Sequence, residues 1–258
     1  MEVITTTSPI ELGKSAGKTA AKAIIDTIKK NGQANIILAT GASQFETLKQ
    51  LTLVKDIDWS KVVMFHLDEY IDLPESSNAS FRRYLKERFF EKVTPLKASY
   101  LINGETDPIF ECNRLNGIID RHPIDVALVG IGENGHLAFN DPPADFETEQ
   151  PYIVVDLEEQ CRKQQFGEGW FKSLAEVPKQ AISMTIKQIC KSKKIICSVP
   201  DGRKAKAVKE CLESPVSNLY PAGILQLHPD CSVFLDDASS ALLTVKNGVL
   251  GAKVFSRI

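Results

Sequence analysis

No stretch of this 258-residue chain approaches the roughly 18 consecutive apolar residues that a membrane helix needs. The opening segment MEVITTTSPIELGKSAGK also lacks the apolar centre of a secretory signal, so the cytoplasm is the expected location. An excess of one charge sign is missing too. The 31 basic and 33 acidic residues give a formal net charge of -2, with no basic stripe to follow a nucleic acid or an anionic membrane. That leaves a small molecule as the expected partner. The six cysteines, at 112, 161, 190, 197, 211 and 231, include no CxxC pair, which argues against a structural zinc site or a disulfide framework and for free thiols. Internal repeats, low-complexity tracts and linkers are lacking as well.

What the chain does have is the material for a core. Hydrophobic residues make up 43% and charged residues 25%, an ordinary balance for a globular protein. One α/β domain spanning residues 1–258 is expected at this length.

Apolar side chains from Ile10 to Lys30 recur at helical spacing, with Ala20, Ala21, Ile24, Ile25 and Ile28 on one face and Asn31-Gly32 as the stop. ANIILAT then reads as a strand covered on both faces, GAS as a turn, and Gln44 to Leu51 as a helix. The order repeats with the strand KVVMFHL, the polar loop DEYIDLPESSNA and the helix SFRRYLKERFFEKV. A helix near Pro108 to Asp120 precedes the strand DVALVGI. After it come the strand YIVVDL, a helix around EEQCRKQQ, VPKQAISMTI, the strand KKIICSV, a helix over Arg203 to Leu212 and a last strand, CSVFLDD. Alternation of this kind predicts a Rossmann-like α/β fold, mainly parallel, with helices on both faces of the sheet. The short gap between VPKQAISMTI and KKIICSV points to antiparallel members in the second half.

In such sheets ligands bind beyond the carboxyl ends of the strands. Those ends carry Gly41-Ala42-Ser43, Asp68 and Glu69, the stretch GENGHLAFND from Gly132 to Asp141, and Asp201 to Lys204. Ser43 followed by Glu46 has the form of a capping box, and a glycine-containing turn into a helix also offers amides and a positive dipole end to a phosphate. Lys204 at a helix start opposes the dipole and makes better sense beside an anion. A carboxylate such as Asp68, losing water at a strand end, can rise toward the range of a general base. His66 and Asp68 fall on one face of an extended strand, yet with His136 they lack the further ligands a metal needs. Gly130, Gly132 and Gly135 match GxGxxG, with Asp156 downstream, but Pro142-Pro143 breaks the helix that a dinucleotide site requires.

LATGASQFETLKQL, FHLDEYIDLP, VGIGENGHLAFNDPP, VPKQAISMTI, PDGRKAKAV and LQLHPDCSVFLDD, taken in order, resemble the glucosamine-6-phosphate deaminase (isomerase) family, within the group that includes 6-phosphogluconolactonase. The resemblance implies aldose-ketose isomerisation and deamination of an amino-sugar 6-phosphate, with no metal or nucleotide cofactor. By position it makes Asp68 the base at C2, His136 the group that assists ring opening and Asp141 its supporting carboxylate. Ser43, Lys204 and the amides of Gly41 and Ala42 would hold the phosphate, with Arg162 as the candidate arginine and Gln164 and Gln165 nearby. Asn134 completes the candidate catalytic set, although the family commonly has Asp there and Glu at position 141, and an amide cannot exchange a proton near neutrality. Asn before Gly-His resembles galactosamine-6-phosphate isomerases, which leaves the sugar epimer open. The segment from Pro142 to Tyr152 has no Lys or Arg, so the allosteric site of some bacterial relatives is not expected. Lactone hydrolysis and sugar-phosphate sensing without turnover are the alternatives, and neither the oligomeric state nor the role of Trp170 follows from the sequence.

Overall fold

The computed structural model describes residues 1–244 and 248–249. In chain order its elements are β1 (Glu2–Thr6), α1 (Pro9–Asn31), β2 (Ala34–Leu38), α2 (Phe45–Leu53), β3 (Val62–His66), β4 (Asp68–Tyr70), α3 (Phe81–Arg88), β5 (Ala98–Tyr100) and α4 (Pro108–Ile119). There follow β6 (Val126–Val129), β7 (Tyr152–Asp156), α5 (Glu159–Gly167), β8 (Gln180–Met184), α6 (Ile186–Cys190), β9 (Lys194–Val199), α7 (Ala205–Glu213), β10 (Cys231–Asp236) and β11 (Gly248–Val249).

The main sheet has the order β11-β1-β10-β9-β6-β2-β3-β5. Its strands are parallel except for the edge strand β11. Because side chains alternate along a strand, the sheet feeds two cores. Ile36, Leu38, Val62, Met64, Val126 and Leu128 meet α1, α2 and α3 on one face. Ile37, Val63, Phe65, Ala127 and Val129 meet α4, α6 and α7 on the other. This is the expected α/β fold, mainly parallel with helices on both faces.

Local signals set the longest helix. Ser8 accepts the Glu11 amide and Pro9 opens the first turn, while Gly32 (φ 76°) closes α1 in the left-handed region. Small residues then let α1 lie close on α2: a Cβ on Gly13 would fall 2.3 Å from that of Glu46, and one on Gly17 2.7 Å from that of Gln50.

Several expectations need correction. Residues 68–70, expected in a loop, form β4, and α3 stops at Arg88 rather than running through Val93. VPKQAISMTI does not pair with KKIICSV. Its β8 belongs to a separate antiparallel sheet, β4-β8-β7, which packs beyond the carboxyl ends of the main sheet. His66 and Asp68 consequently lie in different sheets rather than on one face of a strand. The Ser43/Glu46 capping box does not form either, because a 3₁₀ turn over Ala42–Gln44 precedes α2 and makes Gln44 the residue before its first turn.

No helix among the described residues is long and apolar enough to cross a membrane. The six cysteines are free thiols.

Candidate active site

A cleft of about 520 Å³ opens at the carboxyl ends of β2, β3 and β6. Residues 39–43 form one wall, and Leu67 and Asp68 the floor. Gly130, Ile131, Gly132 and His136 face them, and Gln164, Gln165, Glu168 and Lys204 close the rim.

Asp68 and Glu69 are adjacent but go separate ways, because β4 alternates its side chains. Glu69 turns inward to the start of α3, where it accepts the amides of Phe81 and Arg82, the Ser80 hydroxyl and Arg82 Nε. Asp68 faces the cleft, 7% exposed, and no donor among the described residues reaches its carboxylate. Desolvation, reinforced by the charge of Glu69, pushes its pKa up to about 8. His66, by contrast, is core. Burial lowers its pKa to about 3, so the ring is neutral, and Nδ1 accepts the Ile102 amide.

The turn after β6 is built around His136. Gly135 has φ 84°, where a side chain would be strained, and its carbonyl accepts the Ala222 amide. His136 Nδ1 lies 3.1 Å from Asp141 Oδ1. The glycines that imitate a nucleotide loop serve this imidazole instead. Gly132 passes so close that a Cβ would sit 2.3 Å from Cε1 and Nε2 of His136, and a Cβ on Gly130 would touch Ser43 Oγ at 3.0 Å.

Burial works against the charge of Asp141, but His136, Asn134 and the Glu158 amide hold its pKa below the usual value. The buried Cys161 thiol lies beside Asp141, and its pKa is raised first by burial and then by that carboxylate. His136, Asp141 and Cys161 place their ligand atoms within 4.8 Å of one another.

Gly41, Ala42 and Ser43 lead into the start of α2, where amides and dipole favour an anion. Lys204, 4% exposed, lies across from them. Burial lowers its pKa, with Glu168 and Glu133 pulling the other way. Arg162 is not among the lining residues. Its guanidinium donates to the carbonyls of Leu174 and Val177, on the far side of α5.

The residues of α5 that do reach the cleft are Gln164 and Gln165, with Glu168 just past its end. Gln164 accepts the Glu133 amide and donates to Glu168, which also accepts Trp170 Nε1 at 3.1 Å. Trp170 packs edge-on against Phe45 at the head of α2. Gln165 Oε1 and Thr40 Oγ1 are buried without a partner among the described residues, and both residues line the cleft. Burying polar atoms in this way costs free energy that a hydrogen-bonding ligand would return. Glu168 and Thr40 escaped sequence reasoning, though Glu168 follows Gln164 by four residues, and that helical spacing was the available signal.

A parallel α/β sheet whose strand ends gather a buried carboxylate, an Asp-backed imidazole and a lysine facing a helix N-terminus defines a Rossmann-like protein with a polar cleft at its strand ends. The comparisons refine that class. The chain belongs to the family of glucosamine-6-phosphate isomerases and 6-phosphogluconolactonase, whose model matches residues 7–233. It is 37% identical over 246 residues to the glucosamine-6-phosphate deaminase of Listeria innocua serovar 6a, covering 94% of this chain and 100% of that one. Against the deaminase of Lactobacillus delbrueckii subsp. bulgaricus it is 35% identical over 244 residues, with the same coverage. A solved structure of a monomeric glucosamine-6-phosphate deaminase matches with a TM-score of 0.84 at 32% identity, over 94% of this chain and 100% of that one. The 6-phosphogluconolactonase of Thermotoga maritima shares the fold, with a TM-score of 0.75 at 15% identity over 91% and 98% of the two chains.

Proposed function

We propose that this chain is an enzyme that converts an amino-sugar 6-phosphate, glucosamine 6-phosphate or galactosamine 6-phosphate, into a ketose 6-phosphate and ammonia. One observation carries the proposal: Asp68, desolvated and without a donor among the described residues, shares a cleft with the Asp141-backed imidazole of His136. Relatives named glucosamine-6-phosphate deaminase at 35% and 37% identity over nearly the whole chain support it.

Ser43, Lys204 and the amides of Gly41 and Ala42 hold the phosphate, and that remote binding energy fixes the sugar over Asp68. His136, oriented by Asp141, moves a proton at the ring oxygen and opens the pyranose. The ionised Asp68 carboxylate then takes the C2 proton, and the C–H electron pair passes into an enolamine across C1 and C2. Protonation at C1 leaves an iminium at C2. Water adds there, and the C–N bond breaks to release ammonia and the ketose.

Purified protein incubated with each sugar phosphate is expected to release ammonia from at least one of them. Folded protein that releases none from either overturns the proposal. In that event, hydrolysis of 6-phosphogluconolactone above the spontaneous rate would identify a lactonase, and tight binding without solvent-proton exchange a sensor.

A further inference from the structure

Asn134 cannot move a proton, yet its side chain makes three hydrogen bonds beside His136. One amide nitrogen, Nδ2, lies 2.9 Å from Asp141 Oδ1 and 2.8 Å from Glu158 Oε2, so its two hydrogens serve two carboxylates. Its oxygen accepts the backbone amide of His136 at 3.2 Å. The Glu158 amide returns to Asp141 Oδ2 at 2.9 Å, so both oxygens of Asp141 are held. Asp141 Oδ1 receives Asn134 and His136 together, and its side chain is only 6% exposed. Glu158, immediately before α5, is exposed, so its share of the clamp is the weaker one.

We infer that Asn134 is a positioning residue that requires a neutral amide: it donates to Asp141 and Glu158 at once, fixing the carboxylate behind His136 and tying that turn to the start of α5. The inference rests on the deaminase proposal for the role of His136, but the contacts stand apart from it. In this chain, where Glu158 as well as Asp141 accepts from Nδ2, a carboxylate at this position would reverse the chemistry of the site. It would fall in hydrogen-bond reach of two others, with no proton to share until one of them is protonated. The other ionisable groups facing this trio are the imidazole of His136 and the thiol of Cys161, with Asp68, Glu168 and Lys204 around the same cleft. Through Glu158, the amide also couples the His136 turn to the helix whose other residues, Gln164 and Gln165, line the rim.

The test compares Asn134→Asp, Asn134→Ala and a double variant that combines Asn134→Asp with Glu158→Gln. Asn134→Asp is expected to lower kcat about 10- to 100-fold at neutral pH, the usual cost of disturbing the group that orients a functional side chain, with KM changed less than about threefold. That loss shrinks as pH falls, because the introduced carboxyl, once protonated, can again donate to Asp141. Asn134→Ala loses activity by the same factor at every pH. In the double variant the new side-chain amide donates to the introduced carboxylate, and part of the activity returns at neutral pH. An Asn134→Asp enzyme with wild-type kcat, or one whose loss matches that of Asn134→Ala at every pH, overturns the inference. A second readout is independent of turnover. In 15N-labelled protein the Nδ1 proton of His136 is expected to exchange with solvent about tenfold faster in both single variants than in the wild type, as the loss of one well-formed bond predicts. Unchanged exchange overturns the inference even if the wild type releases no ammonia, whereas absence of ammonia with the expected exchange overturns only the deaminase proposal.

Discussion

Gly132 and the ring of His136 are in direct contact: the Gly132 amide donates to the His136 carbonyl at 2.9 Å, and no room remains between the glycine Cα and the imidazole for a methyl group. Gly132→Ala must therefore push the ring away from Asp141 or bend the turn. Overpacking of this kind typically costs about 1–3 kcal/mol. A loss of kcat of about 10- to 100-fold with KM little changed is expected, since the misplaced ring still leaves the phosphate loop intact. Steady-state kinetics on the accepted sugar phosphate check this, and a fully active Gly132→Ala would show that His136 needs no such contact.

In the proposed mechanism Asp68 serves the reaction at the expense of stability. Between its unfolded value of 3.8 and its folded value of about 8, the folded carboxyl keeps a proton that the unfolded chain has released, so stability falls as pH rises through that window. Asp68→Asn removes the penalty. It is expected to raise Tm at pH 8, where each kcal/mol corresponds to about 2–4 °C in a chain of this size, while leaving Tm near pH 4 unchanged. Exchange of the substrate C2 proton with solvent should vanish in the same variant. Thermal melts at the two pH values and proton exchange followed by NMR test the two halves separately.

As a base, Asp68 acts only when ionised. Below a pKa of about 8 its active fraction falls about tenfold per pH unit, so kcat/KM is expected to climb with pH and level off above that value. In Asp68→Glu, which moves the carboxylate, the plateau should drop by at least about tenfold from displacement of the reacting atom. A rate flat from pH 6 to 8 would mean that another group takes the C2 proton.

Lys204 and Arg162 offer opposite outcomes for one substitution each. Lys204→Met keeps the buried stem and removes the charge. KM for the sugar phosphate is expected to rise about 10- to 100-fold, the equivalent of the roughly 1.5–3 kcal/mol of a hydrogen bond to a charged group. Arg162→Met removes donors from Leu174 and Val177 and is expected to cost about 1 kcal/mol of stability while leaving KM within about twofold. Reversed results would return Arg162 to the phosphate.

The long elements were legible because their periodicity is strong: α1, β2, β3, β6, β9 and β10 lie where apolar spacing placed them. What stayed hidden was short or decided by distant contacts. β4 and β5 have three residues each, too few for alternation to register. β4 is a strand because β8, more than a hundred residues on, pairs with it. In the site, strand ends identified Ser43, Asp68, His136 and Lys204 as residues that face one cleft. Arg162 was misplaced because distant contacts claim it: its guanidinium donates to the carbonyls of Leu174 and Val177, more than ten residues further along the chain, a pairing that charge alone cannot reveal.

The bare contact between Gly13 and Gly17 of α1 and Glu46 and Gln50 of α2 reaches further than packing. It seats the head of α2, and with it the three residues from Gly41 to Ser43, against the first helix of the chain. The ordering cost of the proposed anion cradle is thus met when the protein folds rather than each time a ligand arrives. A random screen for weakened phosphate affinity would accordingly recover changes at Gly13, a residue that never meets the ligand.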